Sequence, residues 1–277
     1  MSTRFFDIIR STKHMPIAPE LGKLPEIVGS FYRAGLVKEL IAGMMKGETG
    51  RDIVLDAKRL LKELEAENQV NLMGLENVPR NVGCLIVFNH PNMDTLLPAM
   101  LKLIVGINEN CGQQIKLAMG SEIPMMTENY VGKRAVPGSV SLIRRFHQMY
   151  SNNIISVPNT EDRKDFVSGR TVAVRKIMRA FKENNIVVIS PEGHVEDGGA
   201  ISRVDTYHDG SGKLAVLATK VGISTVPVAI WEEGNKEIEV MVGQPFLIST
   251  GDSKLAAIEA MSEIAKLMPE DLRGPFS

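Results

Sequence analysis

The spacing of hydrophobic side chains changes near residue 69, and this change divides the chain into two parts. Apolar residues in 24–46 and 51–67 recur every three or four positions, which predicts two amphipathic helices. Gly47 and Gly50 lie between the two segments and favour a break in the helix. We therefore expect a helical hairpin within an N-terminal extension that covers residues 1–68.

Short apolar runs alternate with longer helical patterns from residue 69 onward, and residues 69–277 are predicted to form the main domain. Strands are predicted at 84–89, 114–119, 153–157, 186–190, 225–230 and 237–242. Helices are predicted at 94–105, 136–149, 167–184, 211–221 and 252–267. This alternation is typical of an α/β fold with a central, mostly parallel β-sheet flanked by helices. Ligands of such sheets bind outside the carboxyl ends of the strands, so polar residues that directly follow a strand are candidate site residues.

Composition and charge exclude several classes of protein. A formal net charge of −1 over 277 residues provides no overall field that attracts nucleic acid, so we expect no nucleic-acid partner. The two cysteines do not make a disulfide framework, and Cys84 lies in an apolar run that predicts a buried thiol. We predict no metal site, because no known ligand spacing is matched by His194, Glu196, Asp197, His208 and Asp209.

The chain begins with no secretory signal, and no apolar stretch approaches the roughly 20 residues that cross a bilayer. We therefore expect a cytoplasmic protein. Residues 4–10 combine aromatic, aliphatic and basic side chains and are a candidate for contact with a membrane surface. Packing of this segment against the body of the protein is the alternative.

A histidine and a carboxylate stand at the end of the predicted strand 84–89. Pro91 interrupts strand pairing and suits the first turn of a helix, in which His90 and Asp94 are four positions apart and can face each other. A carboxylate bound to one imidazole nitrogen fixes the tautomer and raises the basicity of the other, as a general base for an alcohol requires. The alternative is a helix start in which Asp94 is a first-turn acid or cap and His90 fills a turn.

Pro191, Glu192 and Gly193 follow the predicted strand 186–190 in the same way. Pro191 restricts the backbone and Gly193 permits a turn, so Glu192 is presented by a rigid segment. Such a carboxylate can bind substrate hydroxyls or a basic partner. The alternative is an ordinary surface turn.

A glycine-rich segment opens the predicted helix 211–221, with Gly210, Ser211 and Gly212 followed by Lys213. A helix N-terminus of this kind is a candidate anion site, although its spacing is not that of a P-loop. The alternative for Lys213 is a solvated helix residue. Pro227 lies inside the apolar strand 225–230, which predicts an edge strand or a bulge.

Taken in their order along the chain, these segments resemble the glycerolipid acyltransferase family, which includes the lysophosphatidate acyltransferases. The resemblance covers roughly residues 69–247, from a lead-in strand and turn at 70–79 to Gly243-Gln244-Pro245. Order and spacing make it more specific than any single motif. The segments that carry it are Ile86-Val87-Phe88-Asn89-His90, Val188-Ile189-Ser190-Pro191-Glu192-Gly193 and Val226-Pro227-Val228-Ala229-Ile230.

The resemblance implies an O-acyltransferase domain over residues 69–277, which moves an acyl chain from acyl-CoA or acyl carrier protein to a lipid hydroxyl and needs no other cofactor. The first candidate acceptor is 1-acylglycerol 3-phosphate, and a lipid acceptor implies a membrane surface as a partner. His90 would deprotonate the acceptor hydroxyl, and Asp94 would orient His90. The implied substrate-binding residues are Asn89, Arg163, Pro191, Glu192 and Gly193, to which the candidate anion site adds Lys213.

The sequence departs from the family's usual pattern at the histidine. Four residues usually separate the histidine from the aspartate, whereas three separate His90 from Asp94, and Thr95 occupies the usual aspartate position. One residue fewer rotates a helical side chain by roughly 100°. The family's arginine corresponds best to Arg163, with Arg144 and Arg145 as further candidates.

A second departure concerns the acceptor. Phosphate-handling members usually carry Thr and Arg or Ser after Pro-Glu-Gly, whereas here Glu196 and Asp197 follow closely and would repel a phosphate. An aminolipid or a glycolipid is therefore the alternative acceptor. Two alternatives come from other functional classes: a non-catalytic lipid-binding protein of the same fold, and a hydrolase of thioesters or lysolipids.

Overall fold

The computed structural model of the protein describes residues 35–64, 69–122, 124–127, 130–135, 139–160, 164–192, 199–204, 207, 209–234 and 237–277. The candidate membrane segment 4–10 lies outside the described residues. The predicted helices 24–46 and 51–67 are described only from residue 35 onward and up to residue 64.

Helices and strands alternate along the chain as the hydrophobic pattern predicts. The helices are α1 (Gly35–Lys46), α2 (Ile53–Leu64), α3 (Met93–Cys111), α4 (Ser139–Met149), α5 (Phe166–Lys182), α6 (Asp209–Lys220) and α7 (Ser253–Ala265). The strands are β1 (Gln69–Met73), β2 (Cys84–Phe88), β3 (Ile115–Gly120), β4 (Pro124–Thr127), β5 (Tyr130–Ala135), β6 (Ile154–Val157), β7 (Ile186–Ile189), β8 (Thr225–Glu233) and β9 (Glu237–Val242). Single turns of 3-10 helix occur at Leu75–Asn77, Glu270–Leu272 and Gly274–Phe276.

Seven strands of the described chain form one sheet in the order β1-β9-β8-β2-β7-β3-β6. The ladders are parallel except for the antiparallel pair of β8 and β9, so the predicted, mostly parallel α/β sheet is confirmed. Strands β2, β3, β6, β7 and β8 run in one direction, and their carboxyl ends therefore meet at one edge of the sheet. This edge carries the residues that follow β2 and β7.

Helices cover both faces of the sheet, and successive side chains of a strand point to opposite faces. In β2, Ile86 and Phe88 pack in a core with residues of α1 to α4, whereas Leu85 and Val87 pack in a second core with α5 to α7. A strand buried on both faces requires a continuous apolar run, and this explains the sequence of β2. Cys84 is fully buried in this strand, as predicted, and the loss of hydration raises the pKa of its thiol to about 12.

The predicted helical hairpin is present in the described residues as α1 and α2, and it shares the first core with the sheet domain. Arg51, in the connection between α1 and α2, forms a bidentate ion pair with the buried carboxylate of Asp56, with N–O distances of 2.7 and 2.8 Å. The Tyr150 hydroxyl, just after α4, donates to the same carboxylate at 2.9 Å. One buried acid therefore joins the hairpin to the residue that follows α4.

The structure also corrects the prediction made for Pro227. Strand β8 lies between β9 and β2, so the expectation of an edge strand is wrong. A bridge between Thr225 and Phe246 and the pair of Val228 with Val242 leave two residues on β8 opposite three on the other strand. The missing N–H of Pro227 therefore falls at an irregularity of the ladder, where no regular partner is required.

Three short strands were not predicted from the hydrophobic pattern: β4 and β5, which form a separate antiparallel pair, and β1, which only the family resemblance indicated. In the described part of the chain, no helix combines the length and the apolar character needed to cross a membrane.

We predict that Asp56→Asn destabilises the fold by about 2–4 kcal/mol, because the amide cannot neutralise Arg51 and presents N–H groups to the donors of Arg51 and Tyr150. Urea unfolding measures this as a lower midpoint with an unchanged slope. The control is Asp52→Asn at an exposed carboxylate that accepts from Val54 N at 2.8 Å and Leu55 N at 3.2 Å. Because asparagine also caps helices, this control is expected to stay within about 0.5 kcal/mol of the wild type. Equal effects of the two substitutions would contradict the role of Asp56.

Candidate functional site

The Asn89 side chain fastens the end of β2 to β8. Its amide nitrogen donates to Ile230 O at 2.7 Å, and Ile230 N donates to its amide oxygen at 2.8 Å. Asn89 has no exposed surface, so the two bonds form in an environment without competing water. The side chain thereby replaces backbone pairing where β2 ends and fixes the position from which His90 projects.

The Glu192 side chain fixes the backbone of His90 from the other side. One carboxylate oxygen accepts from His90 N at 2.8 Å, and the other accepts from Ser202 N at 2.8 Å. Glu192 has no exposed surface. A buried carboxylate is tolerated only when hydrogen bonds replace its hydration, and here the backbone of two other segments supplies them. Glu192 therefore holds the loops after β2 and β7 against each other.

The imidazole of His90 is half-buried at the carboxyl end of β2. Its Nδ1 lies 3.3 Å from the carbonyl oxygen of Pro91, and its ring stacks on Phe88 with a centroid distance of 6.3 Å. In the tautomer with the proton on Nδ1, this carbonyl accepts the hydrogen bond and the lone pair stands on Nε2. This is the arrangement that a neutral histidine needs in order to take a proton through Nε2.

Asp94 lies in the first turn of α3, and its side chain is exposed. The cap of this helix is Asn92, whose side-chain oxygen accepts from Thr95 N at 3.1 Å. The expected hydrogen bond between Asp94 and His90 is not among those formed by the described residues. This arrangement matches the alternative of a first-turn acid, and the catalytic role of Asp94 stays a prediction.

A carboxylate that the sequence reasoning missed lies beside Thr95. The Thr95 hydroxyl is buried and lies 3.2 Å from a carboxylate oxygen of Glu232, near the carboxyl end of β8. Thr95 occupies the position of the family's usual aspartate, and the carboxylate beside it comes from strand β8. No local signal could have indicated this, since Thr95 and Glu232 are 137 positions apart in the sequence.

The start of α6 lies next to Pro191. The Ser211 hydroxyl donates to the carbonyl oxygen of buried Pro191 at 3.1 Å, and Lys213 is exposed two residues further along. Gly212 is required by packing, because a Cβ atom there would stand 1.7 Å from Ser253 O of α7. Close contact of two helices therefore explains this glycine, and the anion-binding role of Lys213 stays a prediction.

Two predicted substrate-binding residues, Arg163 and Gly193, lie outside the described residues. The same is true of His194, Glu196, Asp197 and His208, and the side chain of Asp209 is also not described. Within the described ranges, no group of three or more His, Cys, Asp or Glu side chains is arranged to hold a metal ion.

Comparison with known proteins identifies a protein family and several similar solved structures. A protein-family model described as acyltransferase matches residues 69–231. A similar solved structure is the crystal structure of the 1-acyl-sn-glycerophosphate (LPA) acyltransferase PlsC from Thermotoga maritima. That similarity covers 88% of this chain and 91% of the other, with 17% sequence identity and a TM-score of 0.45. No curated protein matches the chain.

We predict that Glu192→Gln destabilises the fold by about 2–3 kcal/mol, because one backbone N–H then faces an amide NH₂ group and is left buried without an acceptor. Glu259→Gln is the matched control, since Glu259 also accepts from a backbone N–H, that of Ser249 at 2.9 Å, but is partly exposed. Water can satisfy the control, whose cost is expected to stay below about 1 kcal/mol. Urea unfolding of both variants measures the difference, and a neutral Glu192→Gln would contradict the buried contact.

Proposed function

The chain belongs to the acyltransferase family, and we propose that it transfers an acyl chain from acyl-CoA or acyl carrier protein to the hydroxyl of a lipid. The first candidate acceptor is 1-acylglycerol 3-phosphate. The observation that supports this best is the geometry of His90. Its backbone is held by Glu192 at 2.8 Å, and its Nδ1 faces the Pro91 carbonyl at 3.3 Å, which leaves the basic lone pair on Nε2.

In the proposed reaction, Nε2 of His90 takes the proton of the acceptor hydroxyl while the oxygen attacks the thioester carbonyl carbon. A tetrahedral oxyanion forms and collapses, the carbon–sulfur bond breaks, and the leaving thiolate takes the proton from the imidazolium. The products are an ester and a free thiol, and His90 returns to its neutral form. No covalent enzyme intermediate is required.

The buried side chains of Asn89 and Glu192 hold His90 in this proposal, and the substrate-binding role that the family resemblance implies for them stays a prediction. The side-chain groups of Asn89 and Glu192 are bonded to backbone at Ile230, His90 and Ser202. A base fixed in this way does not lose conformational freedom when the acceptor binds. Asp94 supplies a negative charge near the imidazolium, and the proposed contacts to substrate come from Arg163, Pro191, Gly193 and Lys213.

The alternative acceptor is a lipid without a phosphate, such as an aminolipid or a glycolipid, because Glu196 and Asp197 follow Gly193 in the sequence. A non-catalytic lipid-binding protein is the alternative from another class, which the short spacing of His90 and Asp94 supports. A lipid acceptor also implies that the protein, proposed to be cytoplasmic, works at a membrane surface.

We expect His90→Ala to lower the rate of acyl transfer by a factor of about 100 to 10,000, the usual contribution of a general base. Release of thiol from long-chain acyl-CoA in the presence of 1-acylglycerol 3-phosphate measures the rate. Asp94→Asn is expected to cost on the order of tenfold, because Asp94 acts only through its charge. Asp52→Asn is the control with unchanged activity. A His90→Ala protein that folds and keeps its full rate would contradict the proposed mechanism.

Acceptor specificity separates the alternatives. We expect thiol release to depend on the acceptor and to be faster with 1-acylglycerol 3-phosphate than with a monoacylglycerol, an aminolipid or a glycolipid presented in the same vesicles. Faster release with a lipid that lacks the phosphate would replace the first candidate. Release without any acceptor would indicate a hydrolase, and acyl-CoA binding with no release would indicate a lipid-binding protein.

A further inference from the structure

A cavity of about 250 Å³ lies beside β6, the edge strand at the end of the sheet opposite β1, at a distance from His90. Strands β7 and β3 stand between β2 and β6, and three strand spacings amount to about 14 Å. Helices α4 and α5 both contribute to the walls. The polar lining includes Ser121, Arg144, His147, Ser151, Ser156 and Lys176.

The imidazole of His147 in this cavity has no hydrogen-bond partner among the residues that the structure describes. His147 is 7% exposed, and neither ring nitrogen bonds to any of these residues. Burial lowers the pKa of His147 to about 4, so the ring is neutral near pH 7 and carries one N–H donor. A buried polar group without a partner is costly, and such a group beside a cavity indicates a ligand that supplies the missing bond.

The charge of the lining identifies the kind of ligand. Arg144 from α4 and Lys176 from α5 bring two cations to the cavity, and their side chains are exposed. None of the described residues that line the cavity is a carboxylate. The nearby acid Glu122 is buried and accepts from the Ser121 hydroxyl as well as from Asn159 N at 2.7 Å and Thr160 N at 2.8 Å. The lining hydroxyl groups that can donate to a ligand are therefore those of Ser151 and Ser156. Two cations, hydroxyl groups and an imidazole N–H are the donors that phosphate groups bind.

We propose that this cavity binds the phosphate groups at the nucleotide end of an acyl-CoA donor. The inference rests on the proposed function for the identity of the ligand. The distance from His90 decides between the two sources of phosphate in the reaction. The phosphate of 1-acylglycerol 3-phosphate is only a few bonds from the reacting hydroxyl, whereas the pantetheine arm separates the phosphates of CoA from the thioester. A phosphate site three strands away from His90 therefore fits the donor.

Calorimetric titration of the purified full chain with adenosine 3′,5′-bisphosphate, glycerol 3-phosphate and inorganic phosphate tests the proposal. We expect the bisphosphate to bind most tightly. The double variant Arg144→Gln/Lys176→Gln is expected to weaken its binding by about tenfold or more, since hydrogen bonds to charged groups are lost. The matched control is Arg175→Gln/Lys182→Gln, which removes the same charge at two exposed positions of α5 outside the cavity.

Several outcomes would overturn the proposal. The first is a wild type that does not bind the bisphosphate. The second is an equal loss of affinity in both double variants, which would reduce the effect to net charge. Tighter binding of glycerol 3-phosphate, or of inorganic phosphate alone, with the same dependence on Arg144 and Lys176 would reject the donor as the source. Because these titrations need no turnover, bisphosphate binding retained in His90→Ala separates the cavity from the acyl-transfer reaction.

A second variant tests His147 separately from folding. His147→Leu removes an unsatisfied buried polar group, so we expect an unfolding midpoint equal to or above that of the wild type. We also expect weaker bisphosphate binding and, in the wild type, an NMR-measured rise of the His147 pKa on binding, because a nearby anion favours the charged ring. The assignment would be contradicted by an unchanged bisphosphate affinity in a folded His147→Leu protein together with no rise of the His147 pKa in the wild type.

Discussion

The carboxylate of Glu192 is the constraint on which the geometry of the site depends. It is fully buried, and its oxygens accept from His90 N and Ser202 N at 2.8 Å each. A buried carboxylate that lost these partners would be strongly destabilising, so the loops that carry them cannot move independently. The position of the proposed base is therefore set by the cost of an unpaired charge. Asn89, the residue before His90, is in addition hydrogen-bonded to β8.

The same arrangement occurs a second time along the carboxyl edge of the sheet. Glu122, just after β3, is 3% exposed and accepts from Asn159 N and Thr160 N in the loop after β6. Each carboxylate thus joins the loops that follow two adjacent strands, β2 with β7 and β3 with β6. Loops at the end of a parallel sheet leave N–H groups without ladder partners, and a buried acid satisfies two of them at once. A buried carboxylate of this kind fixes the loops at the site of His90 and also those at the wall of the cavity beside β6.

Sequence reasoning succeeded where periodicity carries the information and failed where a contact joins distant segments. The strands of the sheet interior were predicted closely, because a strand such as β2, buried on both faces, must be apolar throughout. The short pair β4 and β5 has no such pattern. Glu192 was identified as important from its place after a strand, but its partner His90 lies 102 residues away, and a carboxylate in a turn does not reveal what it accepts from.

The short spacing between His90 and Asp94 has a structural consequence for the base. Because Asn92 caps α3, His90 stands outside the helix, and the geometry of a helical pair does not apply to it and Asp94. The neutral carbonyl of Pro91, and not Asp94, is the hydrogen-bond partner of His90 Nδ1. This carbonyl can fix the tautomer of the imidazole, but it adds no charge to stabilise an imidazolium. The N-terminus of α3 carries the positive end of the helix dipole, which disfavours a cation nearby. Asp94 is exposed in the first turn, and its negative charge opposes that field, so the role proposed for Asp94 requires no direct bond to His90.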